Sequence, residues 1–268
     1  MKILELFSGT HSVGYSADKL GHKIVSLDRD LDAKSKMYDY ISENHIKEDI
    51  MTWDYKKNFK KGDFDIITAS PVCLYWSRLR NCWIGRKCKA IHPTEIITKE
   101  ILEEEIRLKG QPMVDKIFEI IEYFEPKYWW IENPATGKMK DYIKNSYPKY
   151  NTFYDIDYCK YSEWGYQKRS RFWTNIKDFM PKLCKKDCKN IIQIEDKKQH
   201  KIILGNGYTI IDGKKVLSNT KKLRDVHRLH FGDRNRKGCV GGGNNRLLRY
   251  RIPEKLIIEL LELCINKD

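Results

Sequence analysis

The chain has 268 residues, 41% of them hydrophobic and 33% charged, with a mean hydropathy of -0.65, a composition with enough apolar mass for one sizeable domain, or one plus a small appendage. No window reaches the roughly 18 uncharged apolar residues of a membrane span and no secretory signal opens the sequence, so no membrane partner is expected and a cytoplasmic location is. The net charge of +14 is uneven, +1 over residues 1–160 and +13 over residues 161–268, which points to a polyanion held by the C-terminal part and chemistry done by the N-terminal one, unless the lysines only solvate a surface.

Residues 2–7 form a short apolar run stopped by Ser8-Gly9, and residues 13–20 read as a helix ended by Gly21, giving a strand, a tight turn and a helix. The next strand, residues 23–27, stops at Asp28-Arg29-Asp30. A polar helix is expected over residues 33–41, a strand over 46–50, and a buried strand over 64–69 ended by Ser70-Pro71. Strands alternating with helices at this spacing predict βαβ units and a parallel sheet.

Residues 94–108 read as a charged helix. Gln111-Pro112 then opens a second helix whose apolar stripe is Val114, Ile117, Phe118, Ile121 and Phe124, stopped by Pro126. The aromatic run 127–131 predicts a strand leading into Glu132-Asn133-Pro134. Further strands are expected at 153–159 and 171–174. Residues 181–245 lack periodicity, carry many lysines and read as a small, irregular, basic subdomain, after which Pro253 opens a closing helix over 254–264.

In open α/β sheets, ligands collect at the carboxyl ends of the strands. Ser8, Asp28, Asp49, Ser70, Cys73 and Glu132 all follow predicted strands and are expected to line one crevice. The loop Phe7-Ser8-Gly9-Thr10-His11-Ser12-Val13-Gly14 has small residues and N–H groups suited to close approach of a cofactor, and Asp28, some twenty residues on, is placed to accept from ribose hydroxyls; a plain turn is the simpler reading of the loop alone. Cys73 stands on a turn after a buried strand, either as a small buried hydrophobe or as a nucleophilic thiolate. Glu132 reads either as a solvated loop acid or as a carboxyl that holds a proton for a ring nitrogen.

In order and spacing, four features resemble the cytosine-C5 DNA methyltransferases: Phe7-Ser8-Gly9 with Gly14, the stretch from Asp65 through Ser70-Pro71-Val72-Cys73 to Ser77, Glu132-Asn133-Pro134, and Gln167-Lys168-Arg169-Ser170-Arg171. The resemblance covers residues 1–175 and about 246–265. It implies a Rossmann-like methyltransferase domain over 1–178, completed by the closing segment 246–268, with a target-recognition subdomain over 179–245. It also implies S-adenosyl-L-methionine as cofactor and double-stranded DNA as partner. By the same resemblance Cys73 adds to C6 of a flipped cytosine, Glu132 holds a proton at N3, and Arg171, with Arg169 close by, contacts the base oxygen or orients the thiol. Phe7, Gly9, Thr10 and Ser12 surround the cofactor, Asp28 meets its ribose, Asp49 its adenine, and Ser70 and Pro71 its methionine part.

For DNA the candidates are Gln167, Ser77, Arg78 and Arg80, with Arg86, Lys87 and Lys89 in the segment where the family has a mobile loop, and Lys221, Arg224, Arg228, Arg234 and Arg236 in the recognition region. Val72, Leu74, His11-Ser12 and Pro134 depart from the family's commonest residues, which marks a divergent, short, phage- or virus-like branch, expected in the cytoplasm or, if viral, in the host cell's cytoplasm or nucleus. A monomer suffices for one flipped base, and a restriction endonuclease is a candidate partner.

The eight cysteines are expected to be reduced thiols. Cys184 and Cys188, offered with His227 and His230, lack the usual two-residue gap of a zinc site, and Cys82, Cys88 and His92 fall in the segment where the family has its mobile loop, so no metal is expected. Methylation of tRNA cytosine by the same chemistry, and a catalytically silent DNA-binding protein, stay open as rival readings.

Overall fold

Side chains on both faces of the first strand are buried, Ile3 towards one core and Leu4 and Leu6 towards another, and this two-sided burial repeats in the strands beside it. Such strands belong in the middle of a sheet covered by helices on both faces. The computed structural model describes residues 1–88, 92–194, 197–201, 208–211, 214–217 and 250–266. In chain order its strands are β1 (Lys2–Leu6), β2 (Lys23–Leu27), β3 (His45–Ile46), β4 (Ile66–Ala69), β5 (Lys87–Cys88), β6 (His92–Ile96), β7 (Tyr128–Pro134), β8 (Phe153–Asp157) and β9 (Arg169–Thr174). Four more, β10 (Ile191–Ile194), β11 (Lys197–His200), β12 (Tyr208–Ile211) and β13 (Lys214–Leu217), follow. The helices are α1 (Ser12–Asp18), α2 (Tyr55–Asn58), α3 (Lys99–Glu105), α4 (Gln111–Phe124), α5 (Met139–Ser146) and α6 (Glu254–Ile265).

Seven strands make one sheet in the order β3-β2-β1-β4-β7-β9-β8. All neighbours are parallel from β3 to β7, and β9 runs antiparallel between β7 and β8. This is the expected Rossmann-like α/β fold. The winding direction reverses between β1 and β4, where such sheets open a crevice at their carboxyl edge. The pairs β5–β6, β10–β11 and β12–β13 are separate two-stranded sheets.

One face is covered by α4, whose expected stripe Val114, Ile117, Phe118, Ile121 and Phe124 is buried, joined by Ile120 and by Met139 and Ile143 of α5. The other face is covered by α1 and by α6, where Leu256, Ile257, Leu260 and Leu261 are fully buried. Each such side chain contributes roughly 1.5–3 kcal/mol, so the closing helix is a strong clasp across the whole chain length. α1 starts without a side-chain cap of its own. The buried Glu5 carboxylate of β1 takes the Val13 N–H at 3.1 Å and the Ser26 hydroxyl at 3.1 Å, so an anion satisfies the helix start from below.

Three expected elements differ. Residues 33–41 form no helix: Ser35 Oγ accepts from the N–H groups of Met37 and Tyr38, a local side-chain bond that competes with helix formation, and Lys34 bridges to Ile41. Tyr38 folds back to stack on Tyr15 of α1. The strand expected over 46–50 ends at Ile46, because Asp49 starts a turn by accepting from Met51 N–H. The helix expected from residue 94 starts only at Lys99, capped by Thr98, and runs through a π turn over Ile106–Gly110 straight into α4. Among the described residues no helix is long and apolar enough to cross a membrane.

Candidate active site

The loop after β1 turns through three left-handed residues, Phe7, Gly9 and His11, with φ between 53° and 58°. Only Gly9 adopts that conformation without steric cost, so the loop is held by its neighbours. Gly9 N–H donates to Asp28 Oδ2 at 2.9 Å, and Asp28 Oδ1 accepts from Asp30 N–H and Leu31 N–H. Asp28 thereby joins the carboxyl ends of β1 and β2, and its Oδ2 keeps an acceptor position for a further donor. Asp49 faces the same edge with one oxygen on Arg29. Ser12 and Thr10 are buried and bonded to each other at 2.7 Å, and Ser12 Oγ also accepts from Ile252 N–H, which docks the closing segment beside the loop.

Cys73 lies on the turn after β4. Asn133 of β7 fixes that turn by donating from Nδ2 to the Pro71 carbonyl at 2.9 Å, and Trp76 N–H closes it on the Cys73 carbonyl at 3.2 Å. Trp76 is buried, stacks on Tyr142 of α5, and accepts from Lys138 N–H through its own carbonyl. The Cys73 turn is thus anchored at both ends. Burial pushes the Cys73 thiol up, the Lys168 ammonium opposes that shift, and Glu132 reinforces it. Cys73, Lys168 and Glu132 therefore share one electrostatic neighbourhood.

Glu132 is buried at the end of β7. Its Oε1 accepts from the Tyr158 hydroxyl at 2.9 Å and lies 3.6 Å from Lys168 Nζ. The Lys168 ammonium also sits over the Tyr158 ring. Neither Tyr158 nor Lys168 was singled out from sequence. Lys168 was legible only as the unassigned position in Gln167-Lys168-Arg169, and alternation along a strand turns it to the face opposite Arg169.

Arg169 and Arg171 point to carboxylates on β8. Arg169 makes a two-pronged pair with Asp157, and Arg171 a two-pronged pair with Asp155 while lying 3.6 Å above the Phe153 ring centre. The register of β8 against β9 sets both pairs. Burial works against the Asp157 charge, but the Arg169 guanidinium, the Cys184 N–H and Gln167 together hold its carboxyl below the usual range.

Ser77 caps the short helical turn over Arg78–Trp83. Arg78 is exposed, 3.7 Å from Asp141. Arg80, expected among the DNA-facing cations, is instead 3% exposed, with its guanidinium on Glu105. Lys89, Lys221, Arg224, Arg228, Arg234 and Arg236 lie outside the described residues, as do His227 and His230.

The family of C-5 cytosine-specific DNA methylases matches residues 1–163. A protein of Frog virus 3 (isolate Goorha) named "Probable DNA (cytosine-5)-methyltransferase" is 36% identical over 267 residues, 98% of this chain and 100% of that one. The chain belongs to the C-5 cytosine-specific DNA methylase family. The α/β sheet described above is the methyltransferase fold of that family. Family membership implies S-adenosyl-L-methionine as methyl donor. The residues present fit such a group: the Ser8 Oγ is buried with no hydrogen-bond partner among the described residues, the Asp28 Oδ2 keeps its acceptor position, and both face the carboxyl edge where β1 and β4 part.

Proposed function

We propose that this chain is a DNA (cytosine-5)-methyltransferase that acts on a cytosine flipped out of the duplex through a covalent Cys73 adduct. The observation that carries this reading is the shared neighbourhood of Cys73, Glu132 and Lys168 at the carboxyl ends of β4 and β7.

Cytosine C5 is a weak nucleophile until a thiolate adds to C6, and only a base taken out of the stack can be reached from above and below. The turn held by Asn133 and Trp76 presents Cys73 to one face of the ring. Glu132, oriented by Tyr158, holds a proton at ring N3 and drains the charge that develops as the C–S bond forms. Lys168 favours the thiolate. Bound S-adenosyl-L-methionine supplies an electrophilic methyl group, and Phe7, Gly9, Asp28, Asp49, Ser70 and Pro71 would hold it. Thr10 and Ser12 act one step back, by fixing the loop. Loss of the C5 proton to water then re-forms the C5–C6 double bond, expels Cys73 as a thiolate and returns the N3 proton to Glu132. Arg171 reaches the base oxygen once its pair with Asp155 opens or shifts.

The basic excess beyond residue 160 supports duplex DNA as the polyanion, with Gln167, Ser77, Arg78, Lys221, Arg224, Arg228, Arg234 and Arg236 as contacts. The chain would work as a monomer inside the cell it occupies, with or without a partner endonuclease. The test is transfer of tritium from labelled S-adenosyl-L-methionine to separate pools of duplex DNA and total tRNA, with Cys73→Ser as control. Label at DNA C5 that vanishes in Cys73→Ser is the expected result. Label on tRNA alone changes the substrate, and folded protein that binds DNA but labels neither pool overturns the reading in favour of a silent DNA-binding protein.

A further inference from the structure

Away from the candidate active site, Cys159, Cys184, Cys188 and His200 bring their sulfur and nitrogen atoms within 4.8 Å of one another. His200 Nε2 lies 3.6 Å from Cys184 Sγ and 3.5 Å from Cys188 Sγ. A tetrahedral site with Zn–S of about 2.3 Å and Zn–N of about 2.0–2.1 Å has an S–N edge of about 3.5–3.6 Å. Those edges match. We propose that these four residues form a structural zinc site that fastens the segment after β9 to the end of β8.

The donor set favours this metal. Three thiolates and an imidazole suit zinc, and four protein ligands leave no open position for catalysis. Cys159 and His200 are buried, while Cys184 and Cys188 are half-buried at the rim. Three thiols converging on one ring nitrogen have no pairing that consumes them as disulfides, and a buried thiol that serves only as a small hydrophobe needs no imidazole between it and its neighbour. With zinc bound, three thiolates leave one net negative charge, and the neighbouring Lys160 and Lys186 offset it.

The local chain is shaped for these positions. Cys159 sits in the short helical turn over Tyr158–Lys160. The turn from Cys184 to Cys188 reverses at Lys186, φ 61°, and is braced by Lys185 N–H on Asp187. His200 ends β11, opposite Ile191 of β10. Around the cluster, the buried Asn190 donates to the carbonyls of Cys159 and Ser162 and accepts from Gly165 N–H. Such outer contacts fix ligand positions.

A metal also answers a stability problem. The strands β10 and β11 have four residues each and form a two-stranded sheet separate from the central one, and an isolated two-stranded pair is marginal in water. Zinc supplies what its small core cannot. The anchor point matters as well, because Cys159 directly follows Tyr158, whose hydroxyl is bonded to Glu132, and Cys184 N–H is bonded to Asp157, the partner of Arg169. The pair Cys184 and Cys188 is visible in sequence, and the histidine beside it among the described residues is His200.

The experiment is metal analysis by mass spectrometry of the full-length chain purified without chelator from zinc-supplemented culture. About one zinc per chain is expected, retained in Cys73→Ser and Cys264→Ser and lost in the Cys184→Ser/Cys188→Ser double variant. Should that double variant fail to fold, wild-type protein exchanged with cobalt or cadmium decides the matter: a tetrahedral thiolate-rich cobalt spectrum and a cadmium-113 resonance of three-sulfur, one-nitrogen type support the site. Metal-free folded protein whose cysteines all react freely with a thiol reagent overturns it, as does zinc held equally well by the double variant or iron in its place. These readouts do not depend on methyl transfer, so failure here is distinct from failure of the proposed activity.

Discussion

The Tyr158 hydroxyl donates to Glu132 Oε1 at 2.9 Å, in a site where both side chains are buried. A buried carboxyl with one oxygen held in this way presents its other oxygen in a fixed direction. Tyr158→Phe removes the donor and leaves the acceptor underpaired, at a cost of about 1–3 kcal/mol. Since each 1.36 kcal/mol is tenfold in rate, single-turnover methylation is expected to slow by roughly ten- to a hundredfold, with cofactor affinity unchanged. A Tyr158→Phe protein as fast as the parent would remove Tyr158 from the account.

The reactivity of Cys73 with pH follows from its surroundings. Burial raises its pKa above the ordinary value, so the thiolate is the minor form at neutral pH. Alkylation of Cys73, followed by peptide mapping, is expected to keep rising beyond the ordinary cysteine midpoint of about 8.5. The charge partners give opposite signs: Lys168→Met removes a cation that favours the thiolate and slows alkylation at any given pH, and Glu132→Gln removes an opposing anion and speeds it. Equal rates in the two variants would contradict the shared electrostatic neighbourhood.

Arg80 and Glu105 are a buried ion pair with side chains 3% and 7% exposed. Breaking such a pair from one side strands a charge, so Arg80→Ala is expected to lower unfolding free energy in urea by about 3–5 kcal/mol, and Arg80→Met with Glu105→Met to recover most of it. Arg78→Ala removes an exposed cation and is expected to change stability by under about 1 kcal/mol while weakening DNA binding. A salt-dependence series on DNA affinity separates the two arginines.

What the sequence exposed, and what it hid, follows from how local each signal is. β1, β4 and β7 were legible because strands buried on both faces read as apolar runs, and α4 because its stripe repeats every three or four residues. The segment 33–41 misled, since its lysines and Asp39 tolerate a helix while the Ser35 hydroxyl tips the backbone into turns. Cys73 and Glu132 were legible from motifs at strand ends. Asp155 and Asp157 were not, although Asp-x-Asp on β8 facing Arg-x-Arg on β9 is a period-two charge pattern that a register would have exposed. Cys159 and His200 were invisible for a plainer reason: 24 residues separate Cys159 from Cys184 and 11 separate Cys188 from His200, so only the folded chain brings them together.

The support beneath the Cys73 turn gives the last expectation. Gly110, where the π turn passes into α4, faces the Trp76 ring so closely that an added Cβ would stand 3.1 Å from its Cζ2. Trp76 has little room to yield, because it is buried, stacked on Tyr142, and held through its carbonyl by Lys138. Gly110→Ala therefore overpacks this contact, for which about 1–3 kcal/mol of destabilisation is expected. Part of the strain is relieved by shifting Trp76, and the Trp76 N–H is what closes the turn on Cys73. Methylation is accordingly expected to fall more than stability alone explains, measured at a temperature where the variant remains folded. Restoring space with Trp76→Phe in the Gly110→Ala background should recover part of the rate; a rate unmoved by either change would mean that the turn is held by Asn133 alone.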